Sequence, residues 1–187
     1  MSKLDALKEE CLECAECPLR KGARQVVFGV GNENADIMFV GEGPGEQEDI
    51  QGEPFVGKSG QLLDKYLELI NLDRNKNIYI ANIVKCRPEG NRDPGEEEQD
   101  VCIGWLRRQV REINPKIIVC LGRIAAQKLI SADFRVTSQH GQFYEKGGIY
   151  FMGTFHSSAL LRYESNKPLA LSDFQALRKK AAELGIL

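Results

Sequence analysis

Four apolar residues, Ile37 to Val40, run directly into Gly41-Glu42-Gly43-Pro44-Gly45. After Phe55, the segment Gly57-Lys58-Ser59-Gly60 leads into Leu62, Leu63, Tyr66, Leu67 and Ile70 at helical spacing. A short buried strand, a loop without side-chain bulk and then a helix restrict the chain to α/β architectures. Such junctions bring backbone close to a planar or anionic ligand. The pattern recurs. Asn77–Val84 and Lys116–Leu121 read as two more buried strands, followed by helices over Glu96–Ile113 and through Ala125, Ala126 and Leu129. Gln25–Phe28 reads as a further short strand ahead of a turn at Gly29–Asn32. Gln142–Lys146 and Ile149–Gly153 read as a hairpin around Gly147-Gly148. Helices are also expected over residues 3–13, 159–163 and 169–184. This alternation predicts a three-layer α/β/α sandwich with a central, mostly parallel four-stranded sheet.

A chain of 187 residues suits one such domain, spanning 1–187. No apolar run approaches the roughly 20 residues that cross a bilayer. The N-terminal stretch is charged and lacks the apolar centre of a signal peptide, so a cytoplasmic monomer without membrane contact is expected. A net charge of −2 gives no global argument for binding a polyanion. Lys85, Arg87, Arg92, Arg107, Arg108 and Arg111 cluster in sequence, but Glu96, Glu97, Glu98 and Asp100 balance them, and they read as solvated charges.

In a reducing compartment, six cysteines point to metal or redox chemistry rather than disulfides. Cys14 and Cys17 form one tight pair, Cys86 and Cys102 bracket a polar loop, and Cys11 offers a second close spacing to Cys14. Four thiolates from separate segments suit either tetrahedral zinc or a [4Fe–4S] cluster. Zinc ribbons present two tight pairs, and the single one here favours iron–sulfur. Cys120, inside an apolar run, reads as a small buried hydrophobe.

Taken together, these residues resemble a known family. Cys14 and Cys17, the Gly41–Gly45 loop with Glu48-Asp49, Pro54-Phe55-Val56-Gly57, Asn82 to Pro88, Cys102, and Phe155-His156 followed by Leu160-Leu161-Arg162 are similar, nearly end to end, to the family 4 iron–sulfur uracil-DNA glycosylases. The resemblance implies hydrolysis of the N-glycosidic bond of deoxyuridine in DNA, on a nucleotide flipped out of the helix. It implies Phe55 as the stacking face, Asn82 as the reader of the uracil edge, and His156 as the donor that stabilises the departing base. Gly41, Glu42 and Gly43 would contact the base or the attacking water through backbone amides, with Glu42 (or Glu48) orienting that water. Cys14, Cys17, Cys86 and Cys102 would hold a [4Fe–4S] cluster.

The loop after His156 would enter the DNA. Leu160 or Leu161 would be the inserted apolar group, Arg162 would lie near phosphate, and Ser157 and Ser158 would offer hydroxyls to phosphate. Family members commonly carry proline after this histidine, and Ser157 departs from that pattern. His140 stands where relatives often carry a basic arginine, which implies a pH-dependent contribution to DNA binding. A phosphate loop at Gly57-Lys58-Ser59 is disfavoured by the Phe-containing approach to it and by the lack of an acidic magnesium site.

Overall fold

A computed structural model describes residues 1–187. Along the chain, α1 (Lys3–Leu12) and α2 (Leu19–Gly22) precede β1 (Val30–Gly31) and β2 (Ile37–Gly41). Next come α3 (Glu46–Gln51), α4 (Lys58–Leu69), β3 (Ile78–Asn82), α5 (Glu96–Ile113) and β4 (Ile117–Leu121). Then follow α6 (Arg123–Leu129), α7 (Val136–Gln139), β5 (Phe143–Lys146), β6 (Ile149–Thr154), α8 (Ser157–Arg162) and α9 (Lys167–Glu183).

Strands β2, β3 and β4 are buried at every position, and their alternate residues feed two separate cores. Met38, Val40, Tyr79 and Ala81 face a core shared with Leu4 and Leu7 of α1, Leu106 of α5 and Ala125 of α6. Ile37, Phe39, Ile78 and Ile80 face the other, shared with Leu63 and Leu67 of α4 and Phe174 and Leu177 of α9. Because side chains alternate along a strand, a sheet apolar on both faces must be covered on both, and three layers result.

The sheet has six strands rather than the expected four, in the order β1-β3-β2-β4-β6-β5. Only the central β3, β2, β4 and β6 run parallel; β1 and β5 are antiparallel edges, so the sheet is partly parallel. The Gly147-Gly148 turn, with φ of +56° and +83°, returns β5 against β6. At the other edge the expected strand at Gln25–Phe28 does not form, and β1 falls instead within the stretch read as a turn. Val26, Val27 and Phe28 are buried, but their backbone runs past the sheet end, where the Val27 N–H donates to the Lys85 carbonyl at 2.7 Å. Pairing begins only where glycine permits it, since a Cβ on Gly31 would lie 2.3 Å from the Ile78 carbonyl oxygen.

Lys85 is not a solvated charge. It is 2% exposed, and its ammonium donates to the Asn82 carbonyl at 3.1 Å and to Gln109 Oε1 at 2.6 Å. Its apolar stem lets it lie inside the layer between β3 and α5, provided its head finds acceptors there. No helix is long and apolar enough to cross a membrane.

Candidate functional site

Parallel strands place their carboxyl ends on one edge of the sheet, and in open α/β folds that edge is where ligands bind. Here β2 ends at Gly41, β3 at Asn82, β4 just before Gly122, and β6 just before Phe155-His156. Segments about 115 residues apart in sequence thereby meet in one cleft of about 990 Å³. Glu42, Gly43, Phe55, Asn82 and His156 line it together.

Gly41 lies directly behind two of these side chains. A Cβ there would stand 2.5 Å from the Phe55 ring and 2.6 Å from Asn82 Oδ1, so only glycine leaves those two side chains free to face one space. Asn82 is 2% exposed, and its Oδ1 has no hydrogen-bond donor. A buried amide oxygen left without a donor costs about 1–3 kcal/mol, and its position in the cleft wall suits a ligand N–H.

The ring of Phe55 stacks on that of His156, with centroids 5.4 Å apart and planes 29° apart. Phe55 itself has φ +54°, a left-handed conformation rare for an aromatic residue. His156 caps α8, and its Nδ1 accepts the Ser158 N–H at 3.1 Å and lies 2.8 Å from the Ser158 hydroxyl. An Nδ1 that accepts leaves the proton on Nε2, so the neutral ring presents a donor on its other side. Burial lowers the His156 pKa to about 4, with Glu48 opposing the shift and Arg162 adding to it. The imidazole is therefore neutral at physiological pH.

Two carboxylates flank the glycine loop and differ in role. Glu42 is pushed up to about 7 by burial and by Asp93, against the opposing pull of Arg123. Glu48 is already engaged: its Oε1 accepts the N–H groups of Val56 at 3.2 Å and Gly57 at 3.4 Å. Asp49 likewise accepts the Arg24 N–H at 2.9 Å.

After His156 the chain divides its side chains differently from expectation. Ser157 and Leu160 are buried, at 3% and 2%, and Leu160 packs in the core with α4 and α9. The exposed residues are Leu161 (42%), Arg162 and Tyr163 (63%). A helix of alternating faces must bury one of two adjacent leucines, and the sequence does not say which. Ser158 is committed to His156 rather than free for phosphate.

Ser157 Oγ is a second buried polar atom without a partner. This residue occupies the first helical position, where an N–H has no partner within the helix, and His156 before it has φ −67° and ψ 137°, the conformation that precedes proline. Ser157→Pro is therefore expected to stabilise the protein by about 0.5–1 kcal/mol, by removing the orphan hydroxyl and restricting the unfolded chain. Thermal unfolding checks this, and a lowered midpoint would contradict it.

His140 does not face the cleft as a free cation. Its Nδ1 lies 2.8 Å from Asp173 Oδ1, its ring packs on Phe155 at 4.9 Å, and Thr154 donates to Asp173 Oδ2 at 2.5 Å. This network pins the segment that carries His156. The reading from sequence also missed Arg123, Asp93 and Tyr163 in the cleft wall. Arg123 and Asp93 form an ion pair at 2.6 Å across 30 residues, which no local pattern reveals. Tyr163, one residue beyond the leucine–arginine motif, was legible as an exposed aromatic at the end of a short helix.

The six cysteines are free thiols. Cys86 and Cys102 are buried in one core with half-buried Cys17 packed against it, and half-buried Cys14 lies near enough to act on the Cys86 thiol. The Cys86 thiol is pushed up to about 12, by burial first and then by Cys102, Cys17 and Cys14. The Lys85 N–H donates to Cys102 Sγ at 3.2 Å. No group of three or more His, Cys, Asp or Glu side chains is spaced to hold a single metal ion. Cys120 is wholly buried on β4, and burial raises its thiol.

The uracil DNA glycosylase superfamily matches residues 28–181. The chain is 42% identical to a type-4 uracil-DNA glycosylase of Archaeoglobus fulgidus, over 98% of this chain and 94% of that one. Identity to the type-4 enzyme of Thermotoga maritima is also 42%, over 88% and 86%. To that of Saccharolobus solfataricus it is 38%, over 96% and 87%.

Proposed function

The chain belongs to the type-4 uracil-DNA glycosylases of the uracil DNA glycosylase superfamily, and on that premise we propose how its cleft excises uracil from DNA to begin base excision repair. The observation that carries the proposal is the donorless Oδ1 of Asn82 in the wall that Phe55 and His156 share. Uracil supplies what that atom lacks. Its N3–H donates to Oδ1 while its O4 accepts from the Asn82 amide, whereas cytosine presents the opposite pattern.

A base within a duplex cannot reach this cleft, so the nucleotide rotates out and its ring enters the space lined by Phe55, Gly43 and Asn82. As the C1′–N1 bond breaks, its electron pair goes to the uracil ring and charge gathers on O2. Neutral His156 donates to O2 from Nε2, and a donor fixed in advance stabilises that charge without reorganisation. Water adds to C1′, its proton passing to Glu42 or to solvent, the departed uracil anion takes up a proton from solvent, and free uracil and an abasic sugar result. Glu42 keeps its carboxyl near neutral pH, where it can take a proton. On the DNA side, exposed Leu161 takes the place of the extruded base and Arg162 meets phosphate. The reading includes action as a monomer on single- or double-stranded DNA.

The thiols of Cys14, Cys17, Cys86 and Cys102 suit a [4Fe–4S] cluster as a donor set, since a cube spaces four thiolates more widely than one ion does. Such a cluster would supply a covalent tie between the segment after α1, the end of β3 and α5. Free thiols throughout suit a reducing, cytoplasmic setting. Serine at any of the four positions is expected to lose iron and soluble yield together, while Cys120→Ala keeps both. Iron content and visible absorbance report this, and a colourless zinc protein would refute the cluster. For the activity itself, purified protein is incubated with a uracil-containing strand and treated with alkali. Cleavage at uracil is expected, and an intact strand in the presence of metal-loaded protein would overturn the proposal.

A further inference from the structure

Phe55 combines left-handed backbone with burial of 5% exposure, so something outside the residue must hold it there. That support comes from Arg74, in the turn between α4 and β3. Its side chain is 14% exposed, and its guanidinium donates to the carbonyls of Phe55 at 2.7 Å, Pro54 at 3.1 Å and Gly60 at 3.4 Å. Its Nε donates to Asp64 at 2.7 Å, which fixes the fork's orientation. From the opposite side Glu48 accepts the next two N–H groups, those of Val56 and Gly57. Gly60 allows the helix to press on this turn, since a Cβ there would lie 1.8 Å from the Phe55 carbonyl oxygen. Carbonyls are thus held by a cation and amides by an anion, and the ring between them is held toward His156.

We propose that Arg74 is a positioning residue for base recognition: it locks the Phe55 turn so that the ring stands ready as a stacking face. Arg74 is absent from the cleft lining, so it reaches the base only through Phe55. A lysine, with one compact head, cannot bind three carbonyls and a carboxylate in one plane. The inference rests on the uracil reading above. Uracil affinity depends on this brace, whereas affinity for the DNA backbone does not.

The test compares wild type with Arg74→Met and Arg74→Lys, using free uracil as an inhibitor and DNA that already carries an abasic site as a ligand. Both variants are first checked for wild-type circular dichroism, and if Arg74→Met does not fold, Arg74→Lys alone carries the test. The inhibition constant for uracil is expected to rise about tenfold in Arg74→Met, the loss of roughly half the stacking contribution of one base. A smaller rise is expected in Arg74→Lys. Abasic-site affinity stays near wild type in both, because no base enters the cleft. In a Phe55→Ala background, Arg74→Met adds nothing further. A folded variant with unchanged uracil inhibition, a parallel loss of abasic-site affinity, or an undiminished effect in the Phe55→Ala background would each overturn the brace. A wild-type protein that releases no uracil would instead overturn the uracil reading, and the brace with it.

Discussion

His156→Ala is expected to slow uracil release about 10²–10³-fold at saturating DNA, the range for removing one prearranged donor from a developing anion. Binding of abasic-site DNA should stay near wild type. The argument rests on the tautomer. Ser158 donates its N–H to Nδ1, so the neutral ring has a single proton and carries it on Nε2. Burial holds the pKa at about 4, which keeps that state over the whole working range. Protonating Nδ1 would set two donors against each other at Ser158 and displace the ring. The pH dependence follows with a definite sign. The folded pKa lies below the usual value for histidine, so the unfolded chain binds the proton first as pH falls. The stability associated with neutral His156 is fully present above about 6.5 and is lost as pH drops toward about 4. Unfolding midpoints from pH 4 to 8 test the stability, and single-turnover rates over the same range test the working form. A wild-type rate that rises on acidification through pH 6 would mean that the imidazolium, not the neutral ring, is the working form.

Asn82→Asp is expected to give the second large effect, a loss of about 10²-fold or more in uracil release together with new, weak activity on cytosine. The carboxylate still accepts the N3–H of uracil, but it turns an acceptor toward O4 where the amide turned a donor. Where the buried carboxyl holds a proton, it donates to cytosine N3 and accepts from the exocyclic amine, so cytosine becomes the better partner. The buried setting magnifies the difference, since Asn82 is 2% exposed and a mismatched polar pair there cannot be repaired by water. Rates on matched uracil and cytosine strands decide it. Equal discrimination in wild type and variant would remove Asn82 from edge reading.

Both predictions concern residues whose identity the chain announces but whose partnership it does not. Asn82 sits at the end of an apolar run and His156 in a small-residue loop, positions that any helix-and-strand reading places at strand ends. That they meet follows from the strand order, which sets β6 beside β4, β4 beside β2 and β2 beside β3, all parallel with their ends on one edge. The edge strands were less legible. Val26 to Phe28 has the composition of a strand, yet pairing began two residues later, because the glycines at 29 and 31 are what let a chain lie so close to β3. Lys85 misled for a related reason: charge in sequence implies solvent, and only the acceptors of Asn82 and Gln109 make its burial tolerable.

The glycine loop after Val40, the two-sided apolar runs and the spacing of Cys14 and Cys17 come from local composition. Local physics suffices for them, since turn geometry, strand alternation and helix periodicity act over a few residues. The orphaned Oδ1 of Asn82, the tautomer of His156, the burial of Leu160 beside exposed Leu161, and the Arg74 clamp on Phe55 belong to the folded molecule alone. Each depends on contacts between side chains that meet only once the layers close, or on which face of a short helix finds the core. Such contacts leave no period in the sequence, because their energy is realised through space and not along the chain.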